Sequence, residues 1–427
     1  MTLDELHGKY LEALTNSKIS EFKEYEMKRL LFNESYYACT IKFKRIFKLL
    51  ASVIMKKQIE CQYKDSHSKI LAFTFYYNRQ DHDSYWDSFL DVLGEYDKIE
   101  VKYKKNASYF SIKENFERFH KVFQFYKQLF KIRNVYHRLY LAARLMILYD
   151  FKNCLDTIVK NDYKILVTFF DSGFFENLIT QFANNRGIKT ITLQHGQPVF
   201  KSYDNDRVNQ SVILNLTSNY TICNGQFSKE QYLKAGYDEN RLITLGSLKK
   251  VDSKKDLNVR KGTFCVFLDT PLLPSSEQSN KKLLDLAVEL SERTGMKFYV
   301  KPHPNDVETY EDIEQNKKCI EIIRGKKSIN EFKNLIDFGV FYASSIYVDM
   351  LSCYIKPFKM NSQQLMSIVT KEEDIFDNIE DLITKVSLWY KKDGVQKREY
   401  FDDLIEYYLN PFGAKERYND FINSLLE

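Results

Sequence analysis

Residues that interrupt or cross-link a chain are scarce in this sequence. Glycine contributes 14 of the 427 residues and proline 7, too few for a long flexible linker between domains. The seven cysteines, Cys39, Cys61, Cys154, Cys223, Cys265, Cys319 and Cys353, form no C-x-x-C pair. Several sit in apolar runs such as TFCVFL, so buried free thiols are expected in place of disulfides or zinc ligands. No stretch supplies the roughly 20 apolar residues that cross a bilayer. The acidic, polar start MTLDELHGKY lacks the basic and apolar segments of a secretory signal, and a cytoplasmic location is expected. Three motifs are also missing: the G-x-x-x-x-G-K-[ST] P-loop, the G-x-G-x-x-G dinucleotide fingerprint and the G-x-S-x-G nucleophile elbow. Their absence argues against NTPases, NAD enzymes and hydrolases.

What is present is a packing composition. Hydrophobic residues make up 44% of the chain and aromatics 15%, with 30 Tyr and 32 Phe, which excludes disorder. A chain of 427 residues exceeds the size at which one core keeps growing, so two α/β domains are expected. The net charge of +5 suits an anionic donor or an anionic membrane surface and falls short of a nucleic-acid-binding footprint.

Periodicity divides the chain further. Apolar positions in YACTIKFKRIFKLLASVIMKK recur every three or four residues, and residues 1–62 are read as helices. A strand at 70–77, a helical stretch and a strand KIEVKYK follow. Residues 113–149 form a long helical region, with aromatics on one side and lysines and arginines on the other. Two uses suit it: a surface for a lipid-linked acceptor at the inner membrane face, or a helix pair whose aromatics pack into the N-terminal core. From 163 onward strands and helices alternate through YKILVTFF, IKTITL, YTICN and LITLG, the pattern of βαβ units. After the lysine-rich segment 248–262 the alternation resumes through TFCVFLD, MKFYVKPHP, CIEIIR, DFGVFYA and KPFKMN. From about 373 amphipathic helices return. The expected architecture is α/β, with two Rossmann-like domains facing a central cleft and additional N-terminal helices. The expected boundaries are 1–247, with a helical insertion at about 107–160, then 248–400, and finally 401–427 as helices crossing back to the N-terminal domain.

In open parallel sheets ligands bind beyond the carboxyl ends of the strands, and the chemically notable residues sit at those ends. Gln194-His195-Gly196 follows ITL. A histidine there, beside a glycine that permits close backbone approach, is placed as a general base toward an acceptor hydroxyl; a hydrogen-bonded structural histidine is the alternative. Lys301-Pro302-His303-Pro304 follows MKFYV, where two prolines lock a turn whose Lys301 and His303 offer donors to a phosphate. Ser344 and Ser345 precede the helix IYVDML, so hydroxyls and free N–H groups form either a phosphate site or an ordinary N-cap. Asp349, one turn on, faces ribose hydroxyls or solvent. Asp171-Ser172-Gly173, Asn224-Gly225, Gly246-Ser247 and Asp269-Thr270-Pro271 have the address of cleft residues or of plain turn chemistry. A metal-independent mechanism is expected.

Together these residues resemble a family. KPHP, then about forty residues on a strand, a Ser-Ser pair, an acidic helix and KPFKMN, is similar to the donor-binding half of GT-B enzymes that build bacterial surface polymers. These include CDP-glycerol glycerophosphotransferases and HP-motif bacterial sialyltransferases. LQHG followed by Asn-Gly and AGYDENRLITLGSLK is similar to their acceptor-binding half. The resemblance covers about 163–361; Gln194 and Tyr342-Ala343 depart from the glycerophosphotransferase pattern. It implies inverting transfer from a nucleotide-activated donor, with no cofactor, onto an oligosaccharide or lipid-linked acceptor. His195, with Asp171, would be catalytic. Lys301, His303, Pro304, Ser344, Ser345, Asp349, Thr270 and Ser247 would hold the donor, and Gln194, Gly196, Ser172, Gly173 and Asn224 would line the acceptor side. A CDP-polyol phosphotransferase, a nucleotide-sugar 2-epimerase and a non-catalytic partner subunit are the alternatives.

Overall fold

The computed structural model describes residues 3–75, 80–104, 109–159, 162–194, 196–199, 215–251, 257, 260–269, 276–303, 306, 310–316, 318–325, 327–342, 346–361 and 368–427. The chain divides into two compact units. The first comprises Met1–Asn224, Ser228–Leu248 and Phe412–Glu427, and the second Gly225–Phe227 with Lys249–Pro411. The segment 401–427 is thus shared between them.

The first unit opens with helices α1 (Leu3–Thr15), α2 (Phe32–Thr40) and α3 (Phe43–Met55). Strand β1 (Ile59–Lys64) follows, inside the stretch read from sequence as helical. It is an edge strand lying antiparallel on β3 (Asp97–Tyr103), pairing Ile59 with Tyr103. That long-range pairing leaves no mark on local periodicity. The remaining strands are β2 (Ile70–Phe75), β4 (Ile165–Thr168), β5 (Lys189–Leu193), β6 (Tyr220–Cys223) and β7 (Leu242–Thr244). The sheet order is β1-β3-β2-β4-β5-β6-β7, parallel from β3 onward.

Strand alternation sends side chains to two helical layers. Leu71, Phe73 and Leu166 face the N-terminal helices together with α5 (Ile112–Gln128), α6 (Val135–Ile158) and α7 (Phe174–Asn184). Ile70, Ala72, Ile165 and Val167 face α4 (Gln80–Leu93) and the terminal helix α13 (Ala414–Leu426). Each fully buried Leu, Ile or Phe stabilises the unit by about 1.5–3 kcal/mol. The two helices within 113–149 start cleanly. Ser111 and Glu114 form a capping box on α5, and the Asn134 side chain accepts from the backbone N–H of Tyr136 and His137 on α6, each cap contributing about 1 kcal/mol.

Helix α8 (Gln226–Lys234) leads to β7, and the second unit supplies another sheet. Its strands are β8 (Thr263–Phe267), β9 (Lys297–Lys301), β10 (Cys319–Ile322), β11 (Phe338–Phe341), β12 (Lys356–Met360) and the two-residue β13 (Ile375–Phe376). All run parallel in the order β10-β9-β8-β11-β12-β13. Phe264, Phe298 and Phe338 share one register across three strands and stack with centroids 5.7 and 5.2 Å apart. Helices α9 (Ser276–Thr294), α10 (Ile346–Ser352), α11 (Ile379–Lys391) and α12 (Gly394–Leu409) complete this unit. A buried ion pair, Lys356–Asp374, lies under it, and Asp374 also accepts from Tyr347 at 2.9 Å and Tyr400 at 2.6 Å.

Among the described residues no helix is long and apolar enough to cross a membrane, and all seven cysteines are free, three of them buried.

Candidate functional site

In each sheet the strand order reverses once, between β2 and β4 in the first unit and between β8 and β11 in the second. Crevices at the carboxyl ends beside such reversals are where open α/β sheets bind ligands. His195, Pro304, Thr270, Ser344 and Ser345, all chosen from sequence, lie outside the described residues. The others are placed.

In the first unit the structure joins Gln194, Gly196, Asn224 and Ser247 into one hydrogen-bonded edge. Gln194 is 2% exposed. Its Nε2 donates to the Gly196 carbonyl at 2.5 Å, and its Oε1 accepts from the Asn224 backbone N–H at 2.9 Å. The Asn224 side chain accepts from Tyr85 of α4 at 2.8 Å. Tyr85 also meets Ser247, and burial pushes its phenol up to about 12. Gln197 accepts from Ser228 of α8 at 3.0 Å. Gly196 has φ of +71°, the left-handed region open to glycine at little strain.

Asp171, Ser172 and Gly173 sit beyond β4, where Gly173 precedes α7 as its N-cap. The expected catalytic role for Asp171 meets a different geometry. The residue is fully buried, and its Oδ2 accepts from the backbone N–H of Thr217 at 2.7 Å and of Ser218 at 2.6 Å. Asn177 of α7 reinforces the junction by donating to the carbonyls of Asp171 and Asn215. Burial raises the Asp171 pKa, opposed by Ser218, Thr217 and Arg241. Buried and bonded to two backbone N–H groups, this carboxylate anchors the loop that leads into β6.

In the second unit the carboxyl edge gathers Lys301, His303, Asp269 and a residue not singled out from sequence, Lys359. Asp269 ends β8 in a reciprocal clamp with Asn280 of α9, N–H to Oδ1 at 2.8 Å and Nδ2 to carbonyl at 3.1 Å. Lys301 was expected to meet a phosphate directly. Its ammonium instead donates to the carbonyls of Ile323 at 3.2 Å and Gly325 at 2.7 Å, tying the end of β9 to the segment after β10. Burial lowers its pKa, with Cys265 and Glu331 opposing. Lys359 is 3% exposed, pairs in register with Phe341 at the end of β11, and has its pKa lowered by burial against the opposing charge of Asp269. A lysine inside an apolar strand was its only sequence signal. Asp349 stands on α10, part-exposed, 3.5 Å from Lys249.

Two Asp-x-Asp triplets occur, Asp81-His82-Asp83 at the start of α4 and Asp204-Asn205-Asp206 outside the described residues. Among the described residues no group of three or more His, Cys, Asp or Glu converges on a metal-sized site. A polar cavity of about 330 Å³, lined by Arg29, Gln181, Asn184, Ser218 and Arg241, opens at the amino ends of β6 and β7 and collects none of the sequence-chosen residues.

No protein-family model matches the chain, and no curated protein matches it. Solved structures do. A UDP-GlcNAc 2-epimerase from Methanocaldococcus jannaschii aligns with TM-score 0.51 and 12% identity over 84% of this chain and 99% of that one. A protein described as a UDP-N-acetylglucosamine 2-epimerase from Listeria monocytogenes aligns with TM-score 0.50 and 10% identity over 84% and 96%. The lipopolysaccharide outer core galactosyltransferase WaaB, in its apo form, aligns with TM-score 0.49 and 11% identity over 83% and 99%. Identities this low carry the fold and nothing finer: the chain has the GT-B fold, two Rossmann-like parallel-sheet units in one polypeptide.

Proposed function

We propose that this protein is an inverting, metal-independent glycosyltransferase. It would move a sugar from a nucleotide-activated donor onto a bacterial capsule or other surface polysaccharide acceptor. The observation that carries the reading is the carboxyl edge of the second sheet. Asp269, Lys359 and the loop bearing His303 gather around the reversal between β8 and β11, the address at which such sheets take nucleotide phosphates. On the first unit, the hydrogen-bonded edge of Gln194, Gly196 and Asn224 would line the acceptor side.

In the proposed reaction the acceptor hydroxyl oxygen attacks the anomeric carbon while His195 takes its proton. The bond from that carbon to the donor's phosphate oxygen breaks, and the nucleotide leaves with the electron pair. His303, Ser344 and Ser345 next to α10 in sequence, Thr270 and the charge of Lys359 would offset the developing negative charge. Such fixed donors usually supply the largest catalytic contribution. Asp349 would meet the ribose hydroxyls. Lys301 moves from direct ligand to anchor of the turn that presents His303.

The test is a thermal shift with UDP, CDP, CMP and GDP, then turnover. A nucleotide at about 100 times its Kd stabilises the fold by about 2.7 kcal/mol. His303→Ala should lower transfer by about 10²–10³ with the melting temperature kept, and EDTA should leave the rate unchanged. Near-normal turnover by His303→Ala removes its role. An epimerase is the second reading, favoured by the 2-epimerases among the matching folds; conversion of a nucleotide sugar without any acceptor would establish it.

A further inference from the structure

Helix α5 buries one face and leaves a second, aromatic face uncovered. Val122 and Phe125 are sealed in the core, whereas Ile112 is 89% exposed, Phe116 73% and Phe119 56%. With Phe123, these positions follow i, i+4, i+7 and i+11, a single stripe along the helix. The neighbouring α3 packs against α5 and does the same, burying Ile46 and Val53 while exposing Phe43 at 49% and Phe47 at 47%. The two helices are locked together. Arg118 of α5 donates to the Val53 carbonyl of α3 at 2.8 Å and holds Asp150 of α6 through two bonds of 2.8 and 2.7 Å. An isolated exposed aromatic needs no explanation, but stripes on two adjoining helices mark an interaction surface.

The charge around the stripes selects the occupant. Between positions 42 and 57 the sequence has six basic residues, Lys42, Lys44, Arg45, Lys48, Lys56 and Lys57, and no acidic one. On α5, Lys113 and Lys127 add to these, and Lys127 lies 4.5 Å over the Phe123 ring; Glu114, which caps the helix, and Glu117 are the acids there. A second copy of this chain would bring basic against basic, which repels an isologous contact. Aromatic side chains ringed by lysines instead match an anionic lipid surface, where rings enter the headgroup boundary and ammonium groups meet phosphate.

We propose that α3 and α5 form a membrane-docking face that seats the first unit on an anionic bilayer. The inference is independent of the proposed transferase activity, because it requires no nucleotide or acceptor. It narrows the basic, aromatic region to one helix face, since α6 is packed into the core through Leu141, Leu145 and Leu148. It also adds α3, whose Phe43 and Phe47 are about half exposed.

The experiment is vesicle flotation of the full chain with liposomes of phosphatidylcholine alone or with about a third phosphatidylglycerol. Wild type should float with the anionic vesicles and stay behind with the neutral ones. Phe116→Ser/Phe119→Ser and Lys44→Glu/Lys48→Glu should each lower the partition coefficient about tenfold or more, with melting temperatures unchanged because all four side chains are exposed. Equal binding by wild type and both variants, or no binding by wild type, overturns the proposal. So does a wild-type dimer in light scattering that Phe116→Ser/Phe119→Ser converts to monomer, because the stripe is then a self-association surface.

Discussion

Replacing Asp171 by alanine and by asparagine separates an anchor from a catalytic base. Its Oδ2 satisfies the backbone N–H groups of Thr217 and Ser218 at 2.7 and 2.6 Å. Alanine leaves both donors without that acceptor, at about 1–3 kcal/mol each, so roughly 4 kcal/mol in total. For a domain of this size that lowers Tm by about 8–16 °C. Asparagine keeps an acceptor oxygen in place, and its amide nitrogen takes the position of Oδ1, which has no hydrogen-bond partner among the described residues. Burial raises the folded pKa of Asp171, so the carboxyl's contribution is fullest below the ordinary value near 3.9 and falls as pH rises through the folded value. Once pH has risen past the folded pKa, the buried carboxylate carries a desolvation penalty that the neutral amide does not. Asp171→Asn should therefore melt within about 2 kcal/mol of wild type and keep its turnover, measured by fluorimetry and nucleotide release. If asparagine destabilises as much as alanine, the anchoring account fails. If it abolishes turnover at unchanged Tm, the carboxylate acts in the chemistry after all.

Three further outcomes follow from local geometry. A Cβ at Gly225 would lie 2.4 Å from the Tyr407 carbonyl oxygen and 2.5 Å from the Tyr408 carbonyl carbon, whereas at Gly339 it meets side chains alone, the Met350 Sδ at 2.3 Å and the Phe267 ring at 2.7 Å. Gly225→Ala should therefore cost about 3 kcal/mol or more and Gly339→Ala less, compared by chemical denaturation. Asp97 accepts from Ser66, Ser68, Tyr63 and Tyr163; those donors outweigh burial and hold it down at about 2. A lowered folded pKa means stability present above about pH 4 and lost as pH falls toward 2, by about 2 kcal/mol, a loss that Asp97→Asn should not show in acid titration of Tm. Asp374→Asn strands the buried ammonium of Lys356 and should cost about 3–5 kcal/mol, while Lys356→Met/Asp374→Leu, removing both charges, should cost less.

Much of the architecture was legible because parallel strands buried on both faces are short apolar runs. ILVT, TFCVF and FGVF announce β4, β8 and β11, and each is wholly or almost wholly buried. β1 was not legible. Its pattern, IECQYK, follows a lysine-rich helix end, and its partner lies some forty residues on, so local periodicity extends the helix through it. β13, two residues long, is too short to read. At the carboxyl ends of the strands, sequence order was readable but hydrogen-bond partners were not. Asp171, Gln194 and Lys301 stand at or just beyond strand ends, as read, yet their hydrogen-bond partners come from Thr217, Asn224 and Ile323, on segments whose proximity only folding creates. The pattern KPFKMN does not distinguish an outward-facing lysine from a buried one at Lys359. The strand is buried on both faces, so Lys356 and Lys359 point to opposite layers and both lose solvent.

The two units share a local device. At the end of β5 a buried amide, Gln194, ties the backbone just past residue 195, at Gly196, to the end of β6 at Asn224. At the end of β9 a buried ammonium, Lys301, ties the strand two residues before His303 to the carbonyls of Ile323 and Gly325. Each is a polar side chain committed to backbone groups, and hydrogen bonds from a charged donor contribute about 1.5–3 kcal/mol apiece. Such fixation does no chemistry itself. It fixes the strand ends that lead to residues 195 and 303, and in the reaction proposed above that fixation would spare an imidazole part of its entropy loss. Address alone would have made Gln194, Lys301 and Asp171 ligands or catalysts. Their hydrogen bonds to backbone groups suit a positioning role, and the proposed reaction rests on the two histidines.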